Sequence, residues 1–139
     1  MAPDGIGEVR IHARKWGLKV WTGGSTPIKE HYEGQFIPRR HLSDDGSGEG
    51  LALEVGFHSE HKDEAANQAV LDGLNKKSKL WRKELGKEPE AGVFLGKASW
   101  RRVSEVWLDA EMNDPELAFE VASRIVDYLS ILEPIRLDK

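Results

Sequence analysis

Leu51-Ala52-Leu53-Glu54-Val55-Gly56-Phe57-His58 alternates in character along its whole length. Side chains of an extended chain point to opposite faces in turn, so Leu51, Leu53, Val55 and Phe57 share one side. Ala52, Glu54, Gly56 and His58 share the other. An apolar face backed by a mixed one is the pattern of a half-buried antiparallel strand. The chain therefore holds a sheet with one side turned to a core, and other segments must supply the cover.

Downstream, Ala66, Val70, Leu74, Trp81 and Leu85 recur at helical spacing, which predicts an amphipathic helix from about Asp63 to Leu85. Gly86 follows as a C-cap and Pro89 prevents resumption. Lys76, Lys79 and Lys83 lie opposite the apolar stripe. Val93-Phe94-Leu95 is apolar on both faces and suits a central strand. Arg102 to Ala110 alternates again, with Val106, Leu108 and Ala110 on one side and Val103, Glu105 and Trp107 on the other. A last helix starts at Asp114 as N-cap with Pro115 in its first turn. Its stripe is Leu117, Val121, Ile125, Leu129 and Leu132. Phe119, Ala122, Val126 and Tyr128 widen it, which predicts a well-buried helix closed by Pro134.

Upstream, Val9, Ile11 and Ala13 alternate with Arg10, His12 and Arg14, and Trp16, Leu18 and Val20 continue in a shifted phase. A turn or bulge near Lys15 accounts for the slip. Thr22 to Pro27 reads as a turn and His31 to Ile37 as another strand. Ser43 to Gly50 reads as a mobile loop. The expected fold is α+β: one domain over residues 1–139, with a mainly antiparallel sheet of about five strands and two main helices on one face.

A chain of 139 residues, 39% hydrophobic and 32% charged, is long enough for a core of its own. It has no cysteine, which excludes disulfides, thiolate nucleophiles and cysteine-ligated metals. No apolar run approaches the roughly 20 residues of a membrane span. The start lacks the apolar stretch of a secretory signal, so a cytoplasmic location is expected. The net charge of −4 makes nucleic acid an unexpected partner and argues against a membrane surface.

Gly92 to Ser99 invites comparison with a phosphate-binding loop and fails it. One residue is missing between the glycines, and Ala98 stands where a hydroxyl is needed. No nucleophile-elbow pattern occurs. His58-Ser59-Glu60-His61-Lys62-Asp63-Glu64 offers metal-ligand chemistry, with His58, His61 and Asp63 as candidate ligands. The i, i+4 spacing that makes histidines converge on a helix is absent, and the acids also suit a helix N-terminus. Glu54 and His58 share a strand face but stand roughly 13 Å apart along it, too far to bond directly. They are expected to flank a bound group over Gly56. Trp21 and Trp107 lie off their strands' clearest apolar faces and join Glu54, His58 and Glu105 as candidate ligand-binding residues.

The expected function is a noncatalytic binding or assembly module using an exposed sheet face or edge. Its partner would be an unspecified protein or small molecule, or a second copy in a homodimer, and no cofactor is expected. The first alternative is a metal-dependent or acid–base enzyme centred on Glu54, His58 and His61. The second is a nucleic-acid accessory domain using the basic helix face.

Overall fold

The computed structural model describes residues 8–15, 17–23 and 28–138. Trp16 and part of the Thr22–Pro27 turn lie outside the described residues. Six strands form one sheet: β1 (Val9–Arg14), β2 (Gly17–Thr22), β3 (Glu30–Pro38), β4 (Leu51–Ser59), β5 (Glu90–Phe94) and β6 (Lys97–Trp107). Their spatial order is β1-β2-β3-β4-β6-β5, and every neighbouring pair is antiparallel. The class is the expected α+β, with six strands in place of about five.

The helices are α1 (Glu64–Asn75), α2 (Ser78–Leu85) and α3 (Leu117–Leu137). They cover the face that carries Val20, Tyr32, Leu53, Val55, Phe57 and Val103. α1 packs on β6, and α3 on β3 and β4. The single helix expected from Asp63 to Leu85 is two. Near Lys76 and Lys77 the Leu74 carbonyl accepts from Lys77 N–H and, at 2.9 Å, from the Trp81 indole N–H. That indole seals the break, and Trp81 is fully buried. α3 approaches β3 closely at Gly34, where a Cβ would stand 2.4 Å from the Val121 side chain.

Three expectations are corrected. β5 is an edge strand and not a central one, and Val93 is exposed accordingly. α3 runs through Pro134 to Leu137 instead of stopping there. Pro134 is on the exposed side, and Arg136 beyond it is anchored to Glu133 and Glu30. The outer flank of α3 is also not buried: Phe119 is 70% exposed and Val126 58%. The sheet occupies only the Leu117–Val121–Ile125–Tyr128 side of that helix.

Candidate metal centre

The face of the sheet opposite the helices is closed around Glu54 and His58. They are 1% and 0% exposed, and His31 and Glu33 on the neighbouring strand are buried with them. His31 of β3 pairs directly with His58 of β4, and Glu33 pairs with Gly56. Side chains two apart on a strand share a face. His31 and Glu33 therefore emerge together, and so do His58 and Glu60 just past the end of β4. The chain writes His-x-Glu twice, as His31-Tyr32-Glu33 and His58-Ser59-Glu60. The antiparallel register lays the two copies side by side.

One donor atom from each of these four residues lies within 4.8 Å of the other three. His31 Nε2 is 3.2 Å from Glu33 Oε1 and 3.4 Å from Glu60 Oε2. His58 Nδ1 is 3.4 Å from the same two oxygens. Four donors joined in a ring by such edges share a centre about 2.0–2.4 Å from each, which spans the zinc–imidazole and zinc–carboxylate bond lengths of about 2.0–2.2 Å. His58 Nδ1 is fully enclosed and makes no hydrogen bond. A buried polar atom without a partner needs an explanation, and here it points at two carboxylates.

The surroundings of the four residues orient them. His31 Nδ1 donates to the Ile28 carbonyl at 2.8 Å, which leaves Nε2 as the inward atom. His58 Nε2 meets Glu54 Oε2 at 2.6 Å, and Gln35 Nε2 donates to the other Glu54 oxygen at 3.2 Å. Arg14 is bonded to Glu33 Oε2, opposite the oxygen that faces the histidines. The Phe94 ring stands edge-on to His58 at 4.7 Å, and Trp100 stands edge-on to Phe94 at 5.5 Å. These rings form an apolar wall on the β5 side.

The Glu54–His58 contact overturns the expectation that the pair is too far apart to bond. Gly56, between them, has a φ of 154°. A Cβ there would come within 2.4 Å of the Val103 carbonyl of β6. The strand departs from even extension at that glycine, and with no side chain between them Glu54 and His58 lean together.

Electrostatically the cluster calls for positive charge. Burial opposes a charged imidazole, yet Glu54, Glu33 and Glu60 raise His58 well above its ordinary value. Against the same burial, Glu33 and Glu60 raise His31. Burial likewise opposes ionised carboxylates, but the two imidazoles hold Glu33 far below the usual range and Glu60 down to about 2. The carboxylates stay ionised, and either protons on the histidines or a cation between them must balance the charge. A metal ion entering the site displaces those protons.

Compared with protein-family models, curated proteins and solved structures, the chain matches none. Its own geometry carries the functional reading.

The structure places the remaining sequence candidates elsewhere. His61 bonds Glu30 at 2.7 Å, and Asp63 caps α1 by accepting from Ala65 N–H at 3.1 Å. Of the expected ligand set His58, His61 and Asp63, only His58 lies in the cluster. Glu105 and Trp107 project from β6 toward the helices, because Glu105 pairs with Val55 and Trp107 with Leu53. The members of β6 that share Glu54's face are Arg102, Ser104 and Val106. Trp21 shares the face of Glu33 by alternation along β2 but is buried. His31, Glu33 and Glu60 were missed as ligands. The repeated His-x-Glu on two predicted strands is the signal that would have found them.

Proposed function

We propose that this protein is a metal-binding domain. His31 Nε2, His58 Nδ1, Glu33 Oε1 and Glu60 Oε2 hold one divalent transition-metal ion between β3 and β4. The observation that carries this reading is the convergence of two imidazole nitrogens and two carboxylate oxygens at 3.2–3.4 Å spacing, with His58 Nδ1 among them buried and without a hydrogen bond. Imidazole with carboxylate favours zinc, iron, cobalt or manganese over magnesium or calcium, which prefer all-oxygen sites.

The role that fits is structural. Four protein ligands and deep burial describe a closed site, whereas catalytic zinc keeps a position open to water or substrate. The ion would cross-link two central strands and neutralise the carboxylates buried with them. This reading differs from the expected one, a module without cofactor that binds a partner on an exposed sheet face: it takes a metal ion as the bound group and a buried site as its place.

The test is metal content after purification without chelators, read together with thermal stability. One equivalent of transition metal per chain and a melting temperature that falls on chelation are expected. A protein that takes up none of zinc, iron, cobalt or manganese, and whose melting temperature ignores chelator, would contradict the reading.

A further inference from the structure

Resting on the metal-binding reading, we infer that Glu54 is a positioning residue: it fixes His58 as an Nδ1 ligand, while His31 binds through Nε2.

Hydrogen-bond polarity sets the role of each ring nitrogen. A neutral imidazole carries one N–H and one lone pair, and the partner of one nitrogen decides the role of the other. The Ile28 carbonyl can only accept, so His31 carries its proton on Nδ1 and offers the Nε2 lone pair inward. An ionised carboxylate also can only accept. Glu54 at 2.6 Å therefore keeps the His58 proton on Nε2 and turns the Nδ1 lone pair toward Glu33 and Glu60. The opposite tautomer would set a lone pair against the Glu54 carboxylate in a site that water does not reach. Gln35 holds Glu54 from behind, so the carboxylate is itself aimed. Gly56, between the two, has a φ of 154° and no room for a Cβ against β6.

The two histidines are direct partners across the β3–β4 ladder, yet they present different nitrogens. Nδ1 is the ring nitrogen nearer the backbone, so the ion is drawn toward β4 and off the midline between the strands. A carboxylate behind a ligating histidine also makes the imidazole a stronger donor, and losing such a partner commonly weakens metal binding about 10- to 100-fold.

Cobalt(II) is the probe, because its visible bands report the coordination sphere. The proteins are wild type, Glu54→Leu and Glu54→Gln. Glu54→Leu is expected to bind cobalt about 10- to 100-fold more weakly, with a changed visible spectrum. Glu54→Gln keeps a carbonyl that accepts from Nε2–H and is expected to recover most of the affinity and the wild-type spectrum. A purely packing role predicts no such recovery of the spectrum by the amide. Imidazole nitrogen NMR on the wild type supplies a reading that needs no variant to fold: a proton on His58 Nε2, and a shift on Nδ1 when diamagnetic zinc is added. Glu54→Leu binding cobalt as tightly as wild type, or zinc shifting Nε2 of His58, would overturn the inference and leave the metal site standing. A wild type that binds neither ion would remove both.

Discussion

Two groups of buried carboxylates sit on opposite sides of the same sheet, and they are solved differently. On the helix side, Glu105 accepts from Tyr128 O–H at 2.6 Å, Trp107 Nε1–H at 2.8 Å and Arg124 Nε–H at 2.9 Å. Glu133 accepts from Tyr32 O–H at 2.9 Å, from Arg136 and from the Thr22 hydroxyl. Each acid there is surrounded by donors supplied by the protein. On the other side, Glu33 and Glu60 face His31 Nε2 and His58 Nδ1: His31 Nε2 meets Glu33 Oε1 at 3.2 Å, while His58 Nδ1 has no hydrogen bond. A buried polar network is stable only when all its members are satisfied. The helix-side groups are complete as folded. The strand-side group is completed by a cation or by protons. That difference separates a structural network from a binding site more cleanly than burial does, since both are buried.

The largest effect is expected on the helix side. Glu133→Ala leaves two hydroxyls without their acceptor and Arg136 with Glu30 alone, and should lower unfolding free energy by about 3–5 kcal/mol in urea titrations. The loss should be the same with and without added metal. A loss confined to the metal-loaded protein would erase the distinction between the two groups. Next comes metal removal. Chelating a wild-type sample held at free metal 100 times Kd should cost about 2.7 kcal/mol, and His31→Ala should show no such metal-dependent increment. Smaller again is Glu105→Gln. It keeps one carbonyl oxygen but sets an N–H among neighbours of which Trp107 and Arg124 can only donate, and about 1–3 kcal/mol of destabilisation is expected by thermal melting.

The pH response sharpens the contrast further. Burial opposes ionisation of Glu133, but Arg136, Thr22 and Tyr32 hold it below its usual 4.5. A depressed carboxylate stabilises the fold above the unfolded-chain value and loses that contribution as pH falls through the folded value. Stability should therefore drop below about pH 4.5, and the drop should be shallower in Glu133→Gln. Smallest is the basic helix face. Lys79 and Lys83 are exposed, and replacing either by alanine should move stability by no more than about 0.5 kcal/mol. A larger change would give that face a role outside both groups.

Much of the fold was legible because it follows from periodicity. The alternation from Leu51 to His58 and the position of Trp81 on its stripe are local patterns, and the structure keeps both; the last helix instead starts two residues later than expected, at Leu117 with Glu116 as N-cap, and the Asp114 carboxylate accepts from Glu116 N–H at 2.9 Å in the turn before it. What escaped depends on partners that a linear pattern does not name. Glu105 and Trp107 alternate correctly along β6, but which parity faces the helices is decided by pairing with Val55 and Leu53. Phe119 and Val126 fall on a broad apolar helix surface of which the sheet covers only one side. The site was half legible. His58 stood out among its neighbours, while His31 lay 27 positions earlier in a strand with weak bounds. Only the β3–β4 register brings them face to face. The Glu54–His58 bond was hidden for a different reason: an ideal strand keeps the two apart, and the positive φ of Gly56 is a property of the folded chain.

The most direct test of the central claim is anomalous diffraction from crystals grown with zinc or cobalt, measured at the edge of that metal. One peak per chain is expected between β3 and β4, within about 2.0–2.4 Å of His31 Nε2, His58 Nδ1, Glu33 and Glu60. Full anomalous data with no peak there, and with the two imidazoles hydrogen-bonded directly to the two carboxylates, would contradict it.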